Sequence, residues 1–280
     1  MNRTKNALHA LAVILAAGPL GTGCASSNGD IVSPPPQWNL TMSDEFDGDE
    51  GTAPDPALWT YDVGGDGWGN GQLEYDTDRV ENVSLDGEGH LRIVAREESY
   101  MGNDYTSARI KTQGLFQQKY GRFEASMKLP AGRGLWPAFW MLGADIDEVG
   151  WPECGEIDIM EFRGQDPELV HGTLHGPGYS GAEPISGTFR LPDGQTFTDD
   201  FHIFTVEWDP GRITFSVHFE VYHAVNSSDV SARGDWVFGH DFFVLLNRAV
   251  GGGYVGPVGP NTVFPATVLV DYVRIFERAQ

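Results

Sequence analysis

The sequence predicts an all-β protein, folded as an antiparallel β-sandwich or jelly roll in one domain that spans residues 37–280. Segments in which apolar and polar side chains alternate recur along the chain, and this alternation is the period of a strand. The 36 glycines and 17 prolines are dispersed between these segments, as turns require. No stretch after the first 24 residues keeps a helical period for ten residues.

The strand candidates follow one another from Leu91 to the C-terminus. Leu91, Ile93 and Ala95 alternate with polar residues, and the segment 123–129 has the same pattern. The further candidates are 108–112, 136–141, 170–174, 202–208, 212–219, 242–249 and 267–276. The continuous apolar run 242–246 predicts a strand that is buried on both faces.

The chain carries a formal net charge of −22, from 40 acidic and 18 basic residues. Such a surface repels phosphate backbones, so the charge argues against nucleic acid as a partner. A neutral substrate would be tolerated, and we expect a monomer.

Residues 1–24 are predicted to be an export signal, because a basic start precedes the apolar run 7–20. This run is too short to cross a bilayer comfortably. The small residues before Cys24 resemble a bacterial lipoprotein cleavage site, although Gly21 stands where leucine is usual. We therefore expect a bacterial protein that is exported, and either secreted or held on a membrane by a lipid anchor at Cys24. Residues 25–36 would be a polar, proline-ended linker.

Cys154 and Cys24 are the two cysteines of the sequence. If Cys24 is removed or lipidated, no disulfide can form. No histidine stands near Cys154 in sequence to serve as its base, so we interpret Cys154 as a buried apolar residue rather than a nucleophile.

Three carboxylates lie close together in the segment GEIDIMEF. Glu156 and Asp158 share one face of a strand, whereas Glu161 is out of step by one residue. A β-bulge near Met160 would return Glu161 to the face of the other two, and such bulges are frequent beside active sites. The Cα atoms of Glu156 and Glu161 would then be roughly 13 Å apart, and leaning side chains could bring their carboxyls to the ~5–5.5 Å of a retaining glycosidase. The same pattern also fits a half-solvated strand or oxygen ligands for calcium.

Aromatic and histidine side chains flank this acidic segment. Trp136 and Trp140 fall on one face of a predicted strand, and indole rings stack well on the apolar faces of a pyranose. His171, Thr173 and His175 share a face and could line the same cleft, but two histidines without a third ligand do not predict a zinc site. The glycine-rich loop 66–76 is either a ligand-binding loop or a plain turn.

These motifs resemble glycoside hydrolase family 16, in the form found in bacterial laminarinases, which are endo-1,3-β-glucanases. The segment WPECGEIDIME matches the Glu-x-Asp-x-x-Glu signature of that family. The other similar segments, in family order, are SDEFDG at 43–48, YTSARI at 105–110, 119–143, HGTLHGPGYSG at 171–181, 201–213, LLNRAVGG at 245–252 and VDYVRIF at 270–276. The resemblance covers 38–277.

The resemblance implies a concanavalin-type jelly roll with a concave substrate cleft, and an endo-acting, retaining hydrolase of 1,3-β-glucans that needs no cofactor for catalysis. Glu156 would be the nucleophile, Glu161 the general acid/base, and Asp158 would orient and tune both. Glu161 has to start protonated, and we expect the negative charges of Glu156 and Asp158 to raise its pKa.

Sugar-binding and metal positions also follow from the resemblance. The family's sugar contacts correspond to Trp136, Trp140, Asn70, Arg109 and, more loosely, His175. Many relatives bind a structural calcium away from the cleft, and the matching positions are Glu45, the carbonyl of Gly89 and Asp271.

Four positions depart from the family pattern. Asp76 stands where relatives tend to carry tyrosine, Gly253-Tyr254 replaces Asn-Trp, Phe219-Glu220 replaces an Asp-Gly turn, and Arg248 interrupts an apolar strand. We expect the first two to alter sugar preferences rather than the catalytic step.

Two alternative functions stay open. One is a β-glucan-binding module without activity, since relatives of this fold have lost the catalytic glutamates and kept the cleft. The presence of both Glu156 and Glu161 argues against it. The other is an enzyme of the same family that acts on mixed-linkage 1,3-1,4-β-glucan or on a galactan.

Overall fold

The computed structural model describes residues 37–279, which form two β-sheets packed against each other. The predicted export signal, Cys24 and the linker 25–36 lie outside the described residues. Within 37–279, no helix is long and apolar enough to span a membrane.

The described chain is built almost entirely from strands. They are β1 (Trp38–Asp44), β2 (Thr60–Asp62), β3 (Glu74–Asp76), β4 (Val83–Leu85), β5 (Leu91–Tyr100), β6 (Asn103–Ser107), β7 (Arg109–Lys111), β8 (Gly121–Lys128), β9 (Leu135–Gly143), β10 (Glu156–Phe162), β11 (Leu169–His175), β12 (Ile185–Arg190), β13 (His202–Asp209), β14 (Arg212–Val217), β15 (Glu220–Asn226), β16 (Phe242–Val250) and β17 (Ala266–Arg278). Two single-turn helices, α1 (Ile146–Val149) and α2 (Ser227–Val230), complete the elements of residues 37–279.

The larger sheet has the order β15-β14-β13-β8-β17-β5-β6-β3, with β1 paired to β17 and β4 paired to β5. The smaller sheet has the order β12-β11-β10-β9-β16-β7-β2. Pairs are antiparallel throughout the described strands, except for the parallel pair β3 and β6. The predicted antiparallel sandwich is confirmed.

The main core lies between the two sheets, and alternation decides which side chains enter it. Leu91, Ile93 and Phe123 of the larger sheet are fully buried, and they face apolar residues of the smaller sheet such as Phe139 and Phe162. Strand β16 is buried along its whole length between β9 and β7, as its continuous apolar run predicts.

One predicted strand was too long. The segment 212–219 was expected to be continuous, but β14 ends at Val217. His218 and Phe219 have φ values of 50° and 65°, so they form a turn to β15 that a strand cannot contain.

Seven strands were missing from the prediction, namely β1 to β4, β6, β12 and β15. Each is short or lies at a sheet edge. At an edge both faces meet water, so the alternation that marks a half-buried strand is lost.

Candidate active site

Strand β10 brings the three predicted carboxylates to one face. Its register with both neighbouring strands, β9 and β11, shifts just after Asp158. Ile159 and Met160 both point into the main core, so Glu161 returns to the side of Glu156 and Asp158. The predicted bulge is therefore confirmed. We call this side of the smaller sheet, which faces away from the main core, the cleft face.

A second, smaller apolar cluster covers the cleft face beneath the carboxylates. It consists of Ala138, Trp140, Leu142, Cys154, Phe243 and Leu245. Burial raises the pKa of the Cys154 thiol to about 12, which agrees with its interpretation as an apolar residue rather than a nucleophile. The cluster keeps water from one side of the carboxyl groups.

Each carboxyl group has its own polar neighbour. The indole N–H of Trp151 donates to Oε2 of Glu156 at 2.6 Å. The hydroxyl of Thr173 donates to Oε2 of Glu161 at 3.1 Å. Nε2 of His175 lies 3.3 Å from Oδ2 of Asp158. Strand β11 supplies Thr173 and His175, because its register with β10 sets Thr173 opposite Asp158 and His175 opposite Glu156.

Burial is the main cause of the raised pKa values of these three carboxyl groups. It raises the pKa of Glu156 to about 8 and that of Glu161 to about 7, and it raises the pKa of Asp158 well above its usual range. For Glu161 the raised pKa agrees with the expectation, but burial rather than a neighbouring charge is its largest cause. The charge of Glu156 does raise the pKa of Glu161, but less than burial does, and His175 acts in the opposite direction.

The two predicted sugar-stacking tryptophans differ in exposure. Trp136 is partly exposed, and its ring lies 4.9 Å from that of Tyr254. Trp140 is only 9% exposed, and its indole N–H donates to Oδ1 of Asn247 at 3.0 Å. The guanidinium of Arg109 covers its ring at 4.5 Å. Trp140 is therefore less accessible than Trp136, and its contact with sugar stays a prediction.

Arg109 is held from three sides. Its guanidinium lies between the rings of Trp68, at 4.8 Å, and Trp140, and its Nε is 2.9 Å from Oδ2 of Asp62. Asn70 is exposed in the loop before β3, and its carbonyl accepts a hydrogen bond from the N–H of Gly253 at 2.8 Å. The loop of Asn70 is thereby joined to the turn after β16.

The comparisons with known proteins agree with this geometry. Residues 67–239 match the family described as glycosyl hydrolases family 16.

The chain belongs to glycosyl hydrolase family 16.

Among its relatives is the β-glucanase of Rhodothermus marinus, which is 43% identical over 265 residues, or 91% of this chain and 90% of the relative. The endo-β-1,3-glucanase of Pyrococcus furiosus has a similar structure, with a TM-score of 0.83 and 45% identity over 88% of this chain and 96% of the other. The laminarinase catalytic domain of Thermotoga maritima has a TM-score of 0.82 and 45% identity over 87% of this chain and 99% of the other.

Two contacts of this family 16 site were not found from the sequence. Trp151 stands in the segment WPEC, five positions before Glu156, and its ring is 45% exposed beside His175. A large exposed aromatic next to an acidic strand is a usable signal for a site. Asp62, which fixes Arg109, gave no such signal because its partner lies on a different strand.

Asp76 and Arg248, two of the departures from the family pattern, form a buried charge cluster with Glu74. Arg248 is fully buried, and none of its guanidinium nitrogens has a hydrogen-bond partner. Burial raises the pKa of Glu74 to about 7 and lowers that of Arg248 to about 9, while the two charges stabilise each other. Burial and the charge of Glu74 raise the pKa of Asp76 well above its usual range.

Of the predicted calcium positions, Glu45 follows β1, Gly89 lies between β4 and β5, and Asp271 lies in the middle of β17. Gly89 has a φ of 94°, and Asp271 lies at a register shift between β17 and β8. Both carboxylate oxygens of Glu45 accept hydrogen bonds from Arg274, at 2.9 and 2.8 Å. A cation at this carboxylate would compete with the guanidinium, so the Glu45 side chain does not fit a calcium ligand in this arrangement. The calcium site stays a prediction.

Among the described residues, Glu156, Asp158 and His175 also form a group that could hold a metal ion, with one ligand atom each within 4.8 Å of the others. The hydrogen bond from Trp151 and the contact between His175 and Asp158 give these atoms partners within the protein. The group suits proton transfer and nucleophilic chemistry as it stands.

Proposed function

We propose that the chain is an endo-acting, retaining glycoside hydrolase that cleaves 1,3-β-glucosidic bonds in laminarin-like glucans. The observation that carries the proposal is the pair Glu156 and Glu161, brought to one face by the bulge in a family 16 chain. Relatives named β-glucanase, endo-β-1,3-glucanase and laminarinase support a β-glucan polysaccharide as substrate. Family 16 glycosidases need no cofactor for catalysis.

Glu156 is the nucleophile in this proposal, and Asp158 orients and tunes the two glutamates. The carboxyl groups of Glu156 and Asp158 are in hydrogen-bond contact, and besides burial, the charge of Asp158 and this contact raise the pKa of Glu156. The N–H of Trp151 acts in the opposite direction, because it donates a hydrogen bond to the Glu156 carboxylate and stabilises it. The ionised carboxylate attacks the anomeric carbon and forms a glycosyl ester.

Glu161 is the general acid and base. A pKa of about 7 lets it hold a proton near neutral pH and give it to the departing glycosidic oxygen. In the second step the Glu161 carboxylate takes a proton from the water that releases the sugar from Glu156, so the configuration of the anomeric carbon is retained. The Thr173 hydroxyl stabilises the ionised form of Glu161 between the two steps.

Sugar binding is assigned to the partly exposed groups of the cleft face. Trp136 offers a ring face, and Arg109, Asn70 and His175 offer polar contacts. The ring of Trp140 supports Arg109. The protein is further proposed to be exported by residues 1–24, with a lipid anchor at Cys24 or free secretion, and to act as a monomer.

A substrate panel tests the proposal. Laminarin, curdlan, lichenan and agarose are incubated with the protein, and early NMR spectra record the anomer of the new reducing end. Cleavage of laminarin with a β-anomer as the first product is expected. Preference for lichenan would favour a mixed-linkage enzyme, and cleavage of none would favour a glucan-binding module.

Two variants test the roles of the glutamates. Glu156→Gln is expected to abolish turnover with folding intact, because an amide cannot form the glycosyl ester. The exposed Glu153 is a matched control, and Glu153→Gln is expected to keep full activity. In Glu161→Ala, azide is expected to restore cleavage of an activated aryl glycoside and give the β-azide. Substantial activity of Glu156→Gln, or no rescue by azide, would overturn the assignment.

A further inference from the structure

The hydroxyl of Tyr254 is buried at the cleft face, and no group of the described residues accepts a hydrogen bond from it. Its ring is fixed on several sides, by Trp136 at 4.9 Å, by the guanidinium of Arg163 at 4.1 Å and by His171 at 6.2 Å. These contacts set the direction in which the hydroxyl points.

Buried hydroxyls in native proteins are nearly always hydrogen-bonded, because an unpaired one costs stability. The Arg163 guanidinium approaches the Tyr254 hydroxyl, but a guanidinium can only donate a hydrogen bond. No group of residues 37–279 accepts the proton of this hydroxyl, so an acceptor from outside the described residues is needed. The phenol lies beside Glu161, because the ring of Tyr254 contacts His171 and His171 is the register partner of Glu161 on β11. Burial and the charges of Glu161 and Asp158 raise the pKa of Tyr254 and keep it protonated. A protonated phenol beside the general acid is a hydrogen-bond donor.

We propose that Tyr254 is a substrate-positioning residue, whose hydroxyl donates a hydrogen bond to a hydroxyl oxygen of the glucosyl unit bound beside Glu161. The inference rests on the proposed function and refines it. The family pattern expects tryptophan at this position, and an indole carries no hydroxyl. The contact would therefore belong to this chain and its preference among glucosyl units.

Tyr254→Phe tests the contact, because it removes the hydroxyl and keeps the ring. The loss of one neutral hydrogen bond corresponds to a fall in kcat/KM of about 2- to 12-fold on laminaritetraose. Tyr254→Trp, which restores the family residue, is expected to show a similar loss. Tyr272→Phe on β17 of the larger sheet removes the same atom far from the cleft and is expected to leave kcat/KM unchanged.

Deoxy substrates separate a hydrogen bond from a structural effect. Aryl β-laminaribiosides that lack the 2-, 4- or 6-hydroxyl of the glucosyl unit next to the aryl group are compared in the wild type and Tyr254→Phe. At one of these positions the deoxy substrate should lose kcat/KM with the wild type but not with the variant. Additive losses at all three positions would overturn the proposal, even if the variant has a lowered Tm.

The same experiment separates the two proposals. A wild type that cleaves no β-glucan contradicts the proposed function. If the wild type and Tyr254→Phe have the same kcat/KM on laminaritetraose, the role of Tyr254 is contradicted and the proposed function is not affected.

Discussion

Replacing Trp151 by Phe is expected to change the pH dependence of the reaction. The variant keeps an aromatic ring and loses the N–H that donates to Glu156. A hydrogen bond to a charged group contributes about 1.5–3 kcal/mol, and we take the lower end because water can partly replace an indole that is 45% exposed. One pKa unit corresponds to about 1.4 kcal/mol, so the loss amounts to about one unit at most.

The direction of the pKa shift of Glu156 follows from the protonation state that the Trp151 N–H stabilises. The N–H favours the ionised form of Glu156, so its removal raises the pKa of the nucleophile. Glu156 must be ionised to attack, so the acid limb of the kcat/KM profile should move to higher pH by about 0.5–1 unit. Activity is then lost first on the acidic side, and the basic limb stays in place.

The assay is the pH profile of kcat/KM on an aryl β-laminaribioside, measured for the wild type and the variant. Trp38→Phe is the matched control, because Trp38 lies on β1 of the larger sheet and the same atoms are removed. Because the pKa of Glu156 (about 8) lies above that of Glu161 (about 7), the loss of kcat/KM should be full below pH 8 and vanish at high pH. A loss of kcat/KM that is the same at every pH would refute the reasoning. Trp151 would then act through its ring on the sugar rather than through its N–H on Glu156.

Three further predictions concern groups around the cleft. Thr173→Val removes the donor to Glu161 and raises the pKa of that acid, so the basic limb of kcat/KM should move up by about half a unit; an unshifted limb would contradict this. Arg248→Met should lower the Tm more at pH 8 than at pH 6. In the wild type at pH 8, Glu74 (pKa about 7) is ionised and Arg248 (pKa about 9) is still charged, so their attraction is lost in the variant, whereas at pH 6 Glu74 is protonated and gains little from Arg248. Equal losses of Tm at the two pH values would count against this role. Iodoacetamide should not alkylate Cys154 in the native protein at pH 8, since the thiol is buried with a pKa of about 12, whereas the unfolded protein should react. Peptide mass spectrometry measures the labelling, and a modified native Cys154 would disprove the burial.

The catalytic strand could be predicted from the sequence because its signal is local. Strand parity separates Glu156 and Asp158 from the isoleucines between them, and one extra residue explains Glu161. The side chains of Ile159 and Met160 are both apolar, so both can enter the core at the bulge.

Features that depend on distant contacts could not be predicted in this way. Trp136 and Trp140 have the same parity, yet Arg109 of β7 covers only the second ring. The pKa of Glu161 depends on burial more than on its neighbours in sequence. Sequence parity reports which face a side chain takes, and it does not report how much of that face other strands cover.

The cluster of Glu74, Asp76 and Arg248 has a consequence for recombining this chain with its relatives. Arg248 belongs to β16, whereas Glu74 belongs to β3, and each makes the buried charge of the other less costly. A chimera that takes β16 from a relative with an apolar residue at this position would keep Glu74 without its cation. Chimeras that exchange β3 and β16 together should therefore fold more stably than those that exchange either strand alone.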